Sequence, residues 1–145
     1  MRIILVTLAL SVVVAVVGVR GAQSLDGPAL IRVTAVTDFE RGLDGPEVQV
    51  SEIRDRRGDR IGWAVVLCRD LGGGGPLGSA SAYCFGTYSF PKGRIQTTGT
   101  RKSRSSYVMA VVGGTGLYSN VGGVLLVRMI DEGPRTERLL FSLEP

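Results

Sequence analysis

Ala110-Val111-Val112-Gly113-Gly114-Thr115-Gly116-Leu117-Tyr118-Ser119-Asn120-Val121-Gly122-Gly123 is the stretch around which the chain is organised. A β-branched run leads into three glycines within four positions, one aromatic residue, a second glycine pair and a fresh apolar run, Val124 to Ile130. Glycine adopts positive φ without the steric cost that other residues meet. Gly113, Gly114 and Gly116 therefore read as a structural turn that ends one strand and starts the next. A nucleotide-binding loop is excluded: the spacing fits neither common fingerprint, no Lys-Ser/Thr follows, and a strand rather than a helix comes next.

Working outward, 145 residues with 21 glycines and 44% apolar content, much of it valine and isoleucine, favour one β-rich domain with many turns. Ahead of it, the apolar run Ile3 to Val19 lies between Arg2 and Arg20 and is followed by Gly21 and Ala22. That pattern reads as a secretory signal over 1–22, with a retained anchor as the alternative, and leaves 23–145 as the domain. The chain has no histidine, which removes Ser-His-Asp and Cys-His catalysis and every histidine-based metal site. Two cysteines alone cannot build a structural zinc site. Setting Arg2 and Arg20 aside leaves 15 of the 17 basic residues against 13 acidic, a balance of +2 and weak grounds for nucleic-acid binding.

Alternation and turn residues predict eight strands: Leu30–Asp38, Glu47–Arg54, Arg60–Arg69, Ser79–Phe90, Arg94–Gly99, Ser106–Val112, Gly122–Ile130 and Thr136–Leu143. No convincing helix follows the leader. An antiparallel sheet of this size removes its two unpaired edges by closing on itself. The expected fold is an all-β, eight-stranded antiparallel barrel; a sandwich is the competing architecture. Tyr118 reads as a plug for one barrel end.

Three ordered segments carry a family resemblance. They are Ala110 to Gly123, Arg60-Ile61-Gly62 leading to Leu67-Cys68, and Tyr83 to Gly99 (YCFGTYSFPKGRIQTTG). Together they resemble the allene oxide cyclase and dirigent superfamily over about Leu30 to Leu143. The resemblance implies a barrel with a mostly apolar cavity, assembled as a homotrimer. Matched by position, it implies catalytic roles for Asp38, as carboxylate late in strand one, and for Ser51 as its polar partner. The third position matched is Cys68.

Cys68 has a competing reading. In an exported chain it bonds Cys84 on the neighbouring strand, closing a loop worth roughly 3 kcal/mol in the chain-entropy model. In the cyclase reading it is a free thiol lining the cavity. Trp63, Tyr83 and Tyr88 are candidate substrate-binding aromatics, with core or subunit packing as the alternative; Tyr83 and Tyr88 differ in parity, so only one faces inward. Arg101, Lys102 and Arg104 form a basic loop, read as solvated surface or as a contact for an acidic substrate group or a cell-wall polymer. The expected function is an exported barrel that steers coupling or cyclisation of a small hydrophobic molecule, such as a phenolic radical, oxylipin or polyene, by confinement. No cofactor and no nucleic acid are expected. A dirigent-like mode would need a separate oxidase. The alternatives are a non-catalytic carrier and a structural or defence protein.

Overall fold

The computed structural model describes residues 25–41, 45–72 and 82–145; the expected leader lies outside them. Eight strands follow one another: β1 Ala29–Arg41, β2 Glu47–Arg54, β3 Arg60–Asp70, β4 Ala82–Phe90, β5 Gly93–Arg101, β6 Ser106–Gly116, β7 Gly122–Glu132 and β8 Arg135–Glu144. Each pairs antiparallel with the next, and β8 returns to β1 through Ala29↔Leu143 to Val36↔Thr136, which closes the barrel. Closure leaves the sheet no unpaired edge, and the competing sandwich is excluded.

Strand alternation sorts the side chains. Val33 and Ala35 on β1, Ala64 and Val66 on β3, Met109 and Val111 on β6, and Leu139, Phe141 and Leu143 on β8 are all buried inside. One end of the lumen is filled by aromatic rings. Phe141 meets Tyr88 edge-on at 5.1 Å and Phe90 at 5.8 Å, and Phe90 meets Tyr118 at 5.9 Å. Edge-to-face rings at these distances add about 0.5–1.5 kcal/mol per pair beyond the area they bury. Tyr118 thus seals the end where β4 and β8 finish, through its contact with Phe90.

The glycine run behaves differently from the expected turn. β6 continues through Gly116, and the turn follows at Leu117–Asn120. The β5–β6 register slips between Gln96 and Thr97, so Val112 has no partner and the bulge bends the strand. Gly113 sits at this bulge with φ +141. Gly114 serves the close approach of β5: a Cβ there would stand 2.2 Å from the Arg94 carbonyl oxygen and 2.6 Å from that of Tyr118. The sequence read as punctuation is therefore strand, tightly curled.

Candidate functional site at the polar end of the barrel

The opposite end, where β1, β3, β5 and β7 finish, is polar. β2 supplies Glu47, Gln49 and Ser51 from its inward face; Gln49 and Ser51 are almost wholly buried. β8 supplies Arg135 and Glu137, both buried. β5 ends inside with Arg101, which is 5% exposed, and the following loop carries Arg104 to the rim. On β1 the register slips between Thr37 and Phe39. Thr37 faces Ser51, Asp38 is skipped, and Glu40 falls opposite the inward Gln49. Partners directly across an antiparallel pair share a face, so the bulge turns Glu40 to the lumen side, where simple alternation from Thr37 would have turned it out.

These groups form one network. Arg101 donates through both terminal nitrogens to Glu47, at 3.2 and 2.6 Å. Arg104 donates to Glu47 at 2.6 Å and to Glu40 at 3.3 Å. Arg135 donates from Nε and Nη2 to Glu137 at 3.0 and 2.7 Å, and from Nη1 to Glu40 at 3.5 Å. The other Glu137 oxygen accepts from Gln49 Nε2 at 3.1 Å, which also lies within hydrogen-bond distance of Thr37 and Ser51. Forked guanidinium–carboxylate contacts of this kind are the strong, directional hydrogen bonds. The Arg101 guanidinium lies 5.7 Å over the ring of Tyr107, within cation–π range.

Burial works against the Glu47 carboxyl, but the Arg101 hydrogen bonds and the charges of Arg101, Arg104 and Arg135 outweigh it and hold it below the ordinary range. Burial likewise opposes the charge on Arg101, and pairing with Glu47 more than restores it. Arg135 is treated the same way by burial and Glu137. The Tyr107 phenol is pushed up, first by burial and then by Glu137. The three arginines and three glutamates of the network balance in formal charge. The site is dense in oriented dipoles yet carries no net charge, so it suits a neutral polar group better than an ion. Two recesses open on it. One of about 320 Å³ is lined by Glu40, Arg104, Met129, Glu132 and Arg135. One of about 280 Å³ reaches Glu47, Asp70, Ala82, Arg101 and Lys102.

The sequence-derived candidates divide. Ser51 is in the network, accepting from Gln49 and lying 3.2 Å from Thr37. Asp38 is exposed at the bulge and is not among the hydrogen-bond partners of Ser51. Tyr88 faces inward and is fully buried, its hydroxyl without a hydrogen-bond partner. Trp63 and Tyr83 lie on the outer wall, 42% and 48% exposed; Arg60 covers the Trp63 ring and Thr98 bonds the Tyr83 hydroxyl. Cys68 and Cys84 stand opposite one another on β3 and β4 and are joined in a disulfide, so Cys68 is not a free thiol. The basic loop is absorbed in part: Arg101 and Arg104 belong to the network and Lys102 lines the smaller recess. Among the described residues, the apolar end is packed with rings and the two recesses open at the polar end. Sequence reading missed Glu40, Glu47, Gln49, Arg135 and Glu137. The available signal was parity, since Glu47, Gln49, Ser51 and Ile53 alternate on one face.

No family model and no curated protein matches the sequence. Solved structures do. A pyocyanin demethylase superposes with a TM-score of 0.64 at 21% identity, over 77% of this chain and 99% of that one. A Diels-Alderase from Streptomyces koyangensis gives 0.66 at 20% identity, over 80% and 68%. A pterocarpan synthase dirigent protein gives 0.60 at 14% identity, over 82% and 96%. Likeness at this identity establishes architecture alone, and the fold this chain shares with these structures is its closed antiparallel barrel.

Proposed function

We propose that the barrel binds a small, largely apolar molecule by a neutral polar group and steers its coupling or cyclisation by holding one reactive conformer. The polar group, a phenol, carbonyl or enol, seats at the Arg–Glu network, and the apolar body lies along the recess that Met129 borders. Glu137, locked by Arg135 and Gln49, takes the carboxylate role first read at Asp38, with Ser51 beside it. Arg104 and Glu40 at the rim orient the entering molecule. The observation that carries this reading is the concentration of buried charged pairs on inward positions at one end only. Confinement of a reactive conformer needs few catalytic groups and can contribute several kcal/mol.

Export of the chain belongs to the same proposal. The Cys68–Cys84 disulfide suits an oxidising compartment, and no helix among the described residues is long and apolar enough to cross a membrane. So does assembly as a homotrimer. The outer wall carries exposed Trp63, Val65, Leu67 and Phe85 on β3–β4, and Val112 and Val124 on β6–β7. Two different apolar patches on one protomer suit the heterologous contacts that close a ring. A dirigent-like mode takes radicals from a separate oxidase.

The test is product distribution. Purified protein is incubated with phenolic radicals from an external one-electron oxidant and, separately, with linear polyenes. Stereochemically biased products that revert toward the uncatalysed mixture in Arg104→Ala and Glu40→Gln, with Asp38→Ala unchanged, support the reading. Tight binding with unchanged products would make the chain a carrier.

A further inference from the structure

A second charged feature lies on the outside. The registers place Arg54 on β2 opposite Thr34 on β1, Thr34 opposite Arg138 on β8, Arg138 opposite Arg128 on β7, and Arg128 opposite Ser106 on β6. These side chains share the outer face and form a row across five strands. At about 4.8 Å between strands the row spans roughly 19 Å. Arg32 stands one row away, opposite Leu140. Arg32, Arg128 and Arg138 are exposed, and none makes a salt bridge among the described residues. Arg54 shares Glu52 with Arg60, and its Nε is buried without an acceptor. Asp55, which lines the larger groove together with Arg32, Arg56 and Arg138, spends one carboxylate oxygen on the backbone N–H groups of Arg57 and Asp59. Grooves of about 240 and 440 Å³ run beside the row, both lined by Arg32 and Arg138.

Like charges placed directly opposite in a sheet destabilise it. Arg128 facing Arg138 is such a pair, with no carboxylate between them. We propose that this row binds an extended acidic polysaccharide, its carboxylate or sulfate groups bridging Arg128, Arg138 and Arg32. Guanidinium forks match oxyanions bidentately, and successive forks one or two strands apart fit charges repeated along a chain. Leu126 and Leu140 floor the smaller groove and offer an aliphatic surface to sugar C–H faces. Nucleic acid fits less well. The row has no aromatic side chain on which bases could stack, and among the described residues no helix or ribbon projects from the convex wall to enter a groove. The row lies outside the lumen and is independent of the reaction proposed there.

The experiment uses the chain without its leader and measures binding to heparin, polygalacturonate, a DNA duplex and anionic phospholipid vesicles at about 0.1 M salt. The expected result is binding to the two polysaccharides that weakens steeply with added salt. The triple variant Arg32→Ser/Arg128→Ser/Arg138→Ser should bind at least tenfold more weakly. A control with the same charge loss, Arg57→Ser/Arg69→Ser/Lys92→Ser, should bind as before. Arg138→Gln alone, a milder change, should lower affinity severalfold. Equal loss in the control, tighter binding to DNA or vesicles than to polysaccharide, or a smaller oligomer in the triple variant would each overturn the proposal; the last would make the row a subunit contact.

Discussion

Tyr88→Phe should make this protein more stable, which is unusual for a core substitution. The phenol is fully buried, and its hydroxyl finds no hydrogen-bond partner among the described residues. Thr97 is the polar side chain that acts on the phenol, but its hydroxyl donates to the Met109 sulfur at 3.7 Å and no bond of good geometry joins it to Tyr88; the ring is supported edge-on by Phe141. Space for the phenol depends on Gly86, where a Cβ would come within 2.8 Å of the ring and 3.1 Å of the hydroxyl oxygen. Burying an unpaired hydroxyl costs about 1–3 kcal/mol. Removing it leaves a void of about 10–15 Å³, and at roughly 24 cal/mol per Å³ that void costs about 0.3 kcal/mol. The balance favours phenylalanine by about 1 kcal/mol, or about 3–5 °C in Tm for a domain of this size. Urea denaturation and calorimetry on the ligand-free protein measure it, with the slope m unchanged. A loss of 1 kcal/mol or more would refute the reasoning, because the hydroxyl must then have a partner.

Further outcomes follow from other parts of the barrel. Arg135→Met leaves the buried Glu137 carboxylate without its forked partner and should cost about 3–5 kcal/mol by chemical denaturation. Gly123→Ala brings a Cβ to 2.0 Å from the Ser142 carbonyl oxygen at φ +127; it should destabilise by several kcal/mol, read as a fall in Tm, because the obstacle is backbone. Reducing Cys68–Cys84 removes a link between residues 16 positions apart and should lower stability by about 3 kcal/mol, measured with and without reductant. The Glu47 carboxyl is held below its ordinary range, so its contribution is fully present above the unfolded value of about 4.3. It should be lost as pH falls below that value through the lower folded one, and Glu47→Gln should flatten that part of a stability–pH curve.

The barrel was legible because its evidence is local. Short runs such as Arg60–Arg69 and Gly122–Ile130 alternate, and turns such as Asp55–Asp59 are written in charged and small residues. Eight such strands with no helix leave few ways to dispose of sheet edges. Strand ends were legible less well. β1, β5, β6 and β7 each run on past polar or glycine residues that would usually mark a stop. At the polar end the reason is the network itself. Glu40, Arg101 and Glu132 lie in strand because they line or border the recesses of that end. At Gly113–Gly116 the reason is close backbone packing between β5 and β6.

The site was hidden by the same rule that revealed the fold. Alternation assigns inward and outward faces only while the register is unbroken. The bulge at Asp38 breaks it once, and that one residue brings Glu40 to the lumen side while Asp38 stays exposed. A reading by position arrives at Asp38; the folded chain presents Glu40. A second obstacle is that charged residues near strand ends look like solvent-facing caps. Arg101, Arg135 and Glu137 carry that appearance, yet each is less than a tenth exposed. Their burial is tolerable only because every charge has a forked or bridging partner, a condition met by residues as far apart as Glu47 and Arg101, or Gln49 and Glu137. Such pairings are set by closure of the barrel, so they enter view only with the eighth strand in place. The outer arginine row has this origin in part: the β7–β8 hairpin already pairs Arg128 with Arg138, and Arg54 joins them only when β1 and β8 meet.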